Sequence, residues 1–297
     1  MKEKIEELSK NLRDILRNNA GGFQLPTGWD QTLLFNNGIE PHILDFDELI
    51  TLGSEIGKNL FLANRGSFTT PDHYLFWSWT GAILLDFISD FEPNLIYGDS
   101  DLSSLLSTSL CAALDQVAFS VHLYQKDQKE NIMAHMGFPL IEALSRKTLH
   151  EYMNQDGKVT QPFTIKKNLP KEDRLYKKKS NCSSMSDALS FAIINQKNPL
   201  LQKKLQQLID ELKIFAKEQE SGIDFLYTLR NEALHAGRTA STIGGALLTI
   251  GLLLCLGLIE DRYDELRRKI SEKVLIAQRG FPMGWTHLYA SWSKLPV

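Results

Sequence analysis

Ile243-Gly244-Gly245-Ala246-Leu247-Leu248-Thr249-Ile250-Gly251-Leu252-Leu253-Leu254-Cys255-Leu256-Gly257-Leu258-Ile259 is a run of 17 residues without a charge, and its reading decides the fold. A bilayer crossing takes about 20 predominantly apolar residues, so the run stands at the short limit for a membrane span. It holds four glycines, and Ala246 and Thr249 add little hydrophobicity. A helix that is apolar all round and sits inside a larger chain reads as the buried centre of a helical bundle. A membrane-associated helical protein is the alternative.

Outward from this run, helical spacing dominates. Downstream, the charged segment Asp261 to Gln278 is expected as a helix. Upstream, helices are expected over Gly222–Ala236, Leu200–Lys217 and Ser186–Asn195. Asn131–Met153 is expected as a further helix, with a break at Gly137 or Pro139, since proline removes a backbone donor and crowds the preceding turn. Asp99–Leu123 and Phe46–Leu62 have helical spacing too. Thr70-Pro71-Asp72 looks like a cap followed by proline at the first helical position. The apolar helix after it carries Trp77, Trp79, Ile83, Leu84, Phe87 and Ile88. Met1 to Asn19 spaces Ile5, Leu8, Leu12 and Leu16 among charges; it is an amphipathic helix and lacks the apolar run of a signal peptide. Strand signals are poor, with Lys158–Ile165 at most a short hairpin arm.

The expected class is therefore all-α. Pro93, Asn94, Gly98 and Asp99 mark a boundary. Residues 1–95 are expected as an N-terminal helical extension, 96–280 as a helical bundle core, and 281–297 as a tail with Trp285, Tyr289 and Trp292 that docks on the body.

With 43% hydrophobic residues the chain can build a sizeable core. A formal net charge of −3 argues against a surface coated in positive charge, although it allows a local basic groove. Cys111, Cys182 and Cys255 are far apart and odd in number, so neither a disulfide framework nor a zinc site is expected, and a cytoplasmic setting is. No metal-ligand spacing and no cofactor motif occurs; Walker, GxGxxG, GxSxG and HExxH patterns are absent.

The chemistry concentrates in Leu229-Arg230-Asn231-Glu232-Ala233-Leu234-His235-Ala236-Gly237. Each helical residue turns by about 100°, so Asn231 lies at about 100° from Arg230 and His235 at about 140°. Asn231 and His235 share a face, four residues apart. If the helix continues, Arg238 joins them at about 80°. Histidine, amide and arginine suit cleavage of RNA. The 2′-OH must lose a proton to attack phosphorus, and the 5′-oxygen must gain one on leaving. Histidine titrates near neutrality and can do either. Arginine can stabilise charge on the phosphoryl oxygens. By spacing alone, the same residues also fit an exposed helix with a solvated arginine and a capping histidine.

Arg230-Asn231-x-x-x-His235 late in a helical bundle resembles the signature of the HEPN family. The preceding Ile223, Leu226 and Leu229, and the small Ala236-Gly237, are also similar to that family. Phe138-Pro139-Leu140-Ile141-Glu142-Ala143-Leu144 loosely resembles a first core helix of larger members. The likeness covers about Asp99 to Ser271, and only the motif is specific. It implies a HEPN-type bundle, a homodimer whose two motif copies form one site, and a metal-independent endoribonuclease in antiviral defence or a toxin–antitoxin system. It also implies an inhibitory or effector protein partner. By resemblance Arg230 binds phosphate, Asn231 positions, and His235 is the acid or base. Some HEPN toxins carry tyrosine two residues after the histidine; Gly237 stands here, so control through that tyrosine is not supported. A catalytically silent HEPN-like subunit that binds RNA or protein is the other reading.

Lys166, Lys167, Lys171, Arg174, Lys177, Lys178 and Lys179 form a basic stretch. Lys166, Lys167 and Lys177–Lys179, with Arg238, are candidate RNA phosphate contacts; the plainer reading is a solvated loop. Arg146 and Lys147, with His150 nearby, read as a surface pair at a helix end. His122 and His135 read as ordinary core or surface histidines. Trp77, Trp79 and Phe87 read as core.

Overall fold

The computed structural model describes residues 1–18, 27–61, 69–90, 100–114, 123–154, 156–166, 173–216, 221–234 and 243–280. The tail 281–297, the boundary stretch 92–99, His122, Lys167, Lys171, His235 and Arg238 lie outside them.

The described chain is mostly helical. Its helices are α1 (Lys2–Asn18), α2 (Phe46–Asn59), α3 (Pro71–Asp90), α4 (Ser100–Leu114), α5 (Leu123–Lys147), α6 (Met185–Ile194), α7 (Pro199–Glu211), α8 (Gly222–Leu234), α9 (Gly244–Leu256) and α10 (Tyr263–Gly280). Strands β1 (Phe163–Ile165) and β2 (Arg174–Tyr176) pair antiparallel, with Phe163 opposite Tyr176.

Local chemistry fixes the helix starts. At α2, Asp45 accepts the Glu48 amide at 2.8 Å and Glu48 accepts the Asp45 amide at 3.1 Å, a reciprocal capping box. At α7, the Asn198 side chain accepts from the Leu200 and Leu201 amides, with Pro199 in the first turn. Pro71 opens α3, as the Thr-Pro signal predicts.

α9 is buried along its whole length and forms the centre, packed by α5, α2, α3 and α7. Its one hydroxyl is satisfied: Trp77 Nε1 donates to Thr249 Oγ1 at 2.9 Å, and that hydroxyl donates to the Gly245 carbonyl at 2.9 Å. Glycines set how closely its neighbours approach. A Cβ on Gly137 of α5 would stand 2.7 Å from Leu247 Cβ of α9, and one on Gly251 of α9 would stand 2.9 Å from a Leu140 methyl of α5. Among the described residues no single helix is long and apolar enough to cross a membrane.

The break expected at Gly137 or Pro139 is absent, and α5 runs through both. Pro139 lies on the exposed side, where water can meet the carbonyl freed by its missing donor. Phe138, Leu140, Ile141 and Leu144 around it are all buried and hold the helix in place.

Trp77, Trp79 and Phe87 are core residues. The same core takes side chains from Ile5 to Ile270, so α1, α2 and α3 share it with the later helices. A smaller core forms under the hairpin from Leu149, Met153, Val159, Phe163, Ile165, Tyr176 and Cys182. α6 serves both, giving Leu189 and Ala192 to the large core and Ala188 and Phe191 to the small one.

α1 is fastened by charge as well as by its apolar stripe. The Glu55 carboxylate, 4% exposed, meets Arg13 at 2.9 Å, Lys58 at 2.7 Å and Lys204 at 3.0 Å. Arg13 also donates to the Glu55 carbonyl and to Asn59 Oδ1, each at 3.0 Å, and Lys204 reaches Glu6 at 2.7 Å. Burial works to raise the Glu55 carboxyl, but the ammonium groups of Lys58 and Lys204 outweigh it and hold it below its ordinary range.

His73 is fully buried beside this region. Its Nδ1 accepts the Thr70 amide at 2.9 Å, which leaves Nε2–H to donate to the Ile56 carbonyl at 2.8 Å. Burial lowers its pKa to about 4, so the ring is neutral.

Candidate functional site

α8 begins where Ser221 accepts the Asp224 amide at 3.1 Å. Phe225, Leu226 and Leu229 seat it on the core, with Ala233 one turn further. Tyr227 turns outward, 41% exposed, and Arg230 and Asn231 lie half-buried at the rim.

The Arg230 guanidinium donates to Asn231 Oδ1 at 3.1 Å and pairs with Glu142 of α5 at 3.2 Å. The other Glu142 oxygen meets Arg146, one turn along α5, at 2.9 Å. A chain Arg146–Glu142–Arg230–Asn231 thus crosses from α5 to α8. Arg146 and Arg230 are each 31% exposed and Glu142 is 20% exposed. His135 is exposed and stands on the same stripe of α5, about 20° from Glu142 around the axis.

Arg146 is therefore more than half of a surface pair. It shares its carboxylate with the motif arginine, and a Cβ on Gly157 would stand 3.7 Å from its Nη1. His150 Nδ1 lies 2.9 Å from the Lys147 carbonyl. The i,i+4 spacing of Glu142 and Arg146 is a signal a sequence can give. The pairing of Glu142 with Arg230, 88 positions away, has no local signal.

The basic stretch is partly ordered strand. Arg174 is committed to structure: it pairs with the buried Asp187 at 2.9 Å and lies over the Tyr176 ring at 4.9 Å. Tyr176 donates to the same Asp187 oxygen at 2.6 Å, and burial together with that acceptor pushes its phenol far up. Burial likewise raises the Cys182 thiol, against the opposing influence of the neighbouring Tyr176 hydroxyl. The lysines differ. Lys158, Lys166, Lys177, Lys178 and Lys179 are exposed, and none takes part in an ion pair among the described residues. The turn after β2 places Lys179 at φ 72°, a left-handed conformation rare outside glycine and asparagine. It is held by the Lys179 amide on the Val159 carbonyl and the Val159 amide on the Ser180 carbonyl, each at 2.8 Å. Cys182 N donates to the Gly157 carbonyl at 2.9 Å, so this turn is tied to the segment that lies beside Arg146.

Of the candidate residues, Arg230 and Asn231 are in direct contact, Lys166 and Lys177–Lys179 stand on the hairpin lobe, and His235, Arg238 and Lys167 lie outside the described residues. No group of three or more His, Cys, Asp or Glu side chains that could hold a metal ion occurs among the described residues. In comparison with known proteins, the chain matches no family model, no curated protein and no solved structure.

Proposed function

We propose that the protein is a HEPN-type endoribonuclease that cleaves single-stranded RNA without a metal, as a homodimer in a cytoplasmic defence or toxin–antitoxin role. The observation that carries the reading is the half-buried Arg230 on α8, hydrogen-bonded to its neighbour Asn231, four residues ahead of His235 in the chain. In this reading the 2′-oxygen attacks phosphorus and the bond to the 5′-oxygen breaks, leaving a 2′,3′-cyclic phosphate and a 5′-hydroxyl. His235 takes the 2′-OH proton or delivers one to the leaving oxygen. Arg230 neutralises charge on the phosphoryl oxygens, and Asn231 orients the group beside it. Lys166, Lys167, Lys177–Lys179 and Arg238 hold flanking phosphates.

The test is incubation of the full chain with labelled single-stranded RNA in EDTA, beside His235→Ala and His135→Ala. Wild-type cleavage to cyclic phosphate ends is expected, with His235→Ala slower by about 10²–10⁴. His135→Ala should cleave as wild type does. Cleavage at full rate by His235→Ala would remove the assignment. A monomerising substitution should also abolish cleavage.

One observation favours a second reading. Glu142 already occupies Arg230 within the protomer, as it would in a catalytically silent subunit that binds RNA or a protein partner. RNA binding without cleavage, unchanged in His235→Ala, would favour it.

A further inference from the structure

We infer that Arg146 is a second phosphate-binding residue of this site, and that Glu142 is an internal stand-in for phosphate that holds both arginines until RNA displaces it. This rests on the RNA-cleaving reading above.

The argument begins with charge. Glu142 gives one oxygen to Arg146 at 2.9 Å and the other to Arg230 at 3.2 Å, so one negative charge is shared by two positive ones. The trio carries a net positive charge. A phosphodiester presents two unesterified oxygens and one negative charge, and so matches a carboxylate as an acceptor for guanidinium forks. The carboxylate and both arginines are reached by water, and partly exposed ion pairs of this kind contribute little and exchange readily. Glu142 is therefore a displaceable occupant.

Space and direction support the same assignment. Gly157 stands beside Arg146 with no side chain to cover its Nη1, and its φ of +81° disfavours one. The segments on either side carry Lys158 and the Lys177–Lys179 turn, all exposed. The groups thus run from Asn231 and Arg230 through Glu142 to Arg146, with Gly157 and the lysine turn beside it. An RNA strand following them would place one phosphate at Arg230 and meet the next cations at Arg146 and Lys158. Glu142 also sets the order of events: without RNA both arginines point at its one carboxylate, and with RNA both forks turn to phosphate.

The experiment is titration of a labelled single-stranded RNA into the full-length protein in EDTA at two salt concentrations, with cleavage followed in parallel. The proteins are wild type, Arg230→Ala, Arg146→Ala, Arg146→Lys and Glu142→Gln, each checked for a native thermal melt. Arg146→Ala should weaken binding about tenfold or more and lower the salt slope by about one, as Arg230→Ala should. Arg146→Lys should recover part of the affinity. Glu142→Gln, which keeps the shape and removes the charge, should bind severalfold more tightly, a gain that a purely structural role does not produce. Loss of binding in Arg230→Ala with Arg146→Ala and Glu142→Gln both like wild type overturns the inference and leaves the ribonuclease reading standing. Absence of binding and cleavage in wild type and Glu142→Gln alike overturns both. Binding that appears only in Glu142→Gln supports the stand-in role. If Glu142→Gln fails to fold, the Arg146→Ala and Arg146→Lys pair decides alone.

Discussion

Two carboxylates in this molecule each gather arginine or lysine from distant segments, and they differ in access to water. Glu55 is 4% exposed and binds three cations, Arg13, Lys58 and Lys204, tying α1 and α7 to α2. Glu142 is 20% exposed and binds two, Arg146 and Arg230, across α5 and α8. A buried group that loses its counter-charge cannot recover it from solvent, so the Glu55 cluster is a fastening. A group at the rim can trade a protein partner for water or a ligand, so the Glu142 cluster is free to change partners. The same side-chain chemistry serves structure in one place and exchange in the other because the dielectric differs.

The comparison can be broken most directly at Glu55. Glu55→Ala removes the buried counter-charge of Arg13, Lys58 and Lys204, leaving Lys204 only the half-exposed Glu6, and should cost about 3–5 kcal/mol in a denaturant melt. Arg13→Ala removes three charge-assisted bonds between α1 and α2 and should cost about 1.5–3 kcal/mol. Acid should weaken the buried side in two windows. His73 is kept neutral down to about pH 4, so between its ordinary 6.5 and about 4 the unfolded chain binds a proton that the folded chain refuses. Stability therefore drops as pH is lowered through that window, by at most about 1.4 kcal/mol per unit, and His73→Gln should flatten the slope. The Glu55 carboxyl lies below its ordinary 4.5, so its contribution is present above that pH and is lost as pH falls through the folded value. Asp72, pushed up from 3.8 by burial, runs the other way just above 3.8. The smallest effect is expected at the rim: Glu142→Gln should change stability by less than about 1 kcal/mol. Added salt should shrink even that and leave the Glu55 effect in place. A Glu142→Gln cost equal to that of Glu55→Ala would erase the distinction, and with it the premise that RNA can displace Glu142.

Much of the fold was legible because its signals are local. The stripe of Ile5, Leu12 and Leu16 gave α1, the Thr-Pro pair gave the start of α3, and the uncharged run gave the buried α9. Continuity of α5 was not legible. Proline is penalised by its own turn, but whether water meets the freed carbonyl depends on which way the helix faces. The strand Arg174–Tyr176 was read as solvated loop because three residues alternate too briefly to register, and the burial of Tyr176 depends on Phe163 and Asp187 arriving from elsewhere. At the site, Arg230 and Asn231 stand out because they are adjacent and precede a histidine. Glu142 and Arg146 did not, since a single sequence shows neither which face of α5 meets α8 nor that one carboxylate spans both.

The reciprocal fit of α5 and α9 has an inherited consequence. Leu247 occupies the place a side chain would take at Gly137, and Leu140 the place one would take at Gly251. Each glycine is a keyway cut for the other helix's leucine, and together they fix the register of α5, whose far end carries Glu142 and Arg146. A slip by one helical turn, about 5.4 Å, would set each leucine against a buried side chain instead of a glycine. In descendants of this chain, a gain of bulk at either glycine should come paired with a loss of bulk at its leucine, so that the four positions drift as two couples rather than as four independent sites.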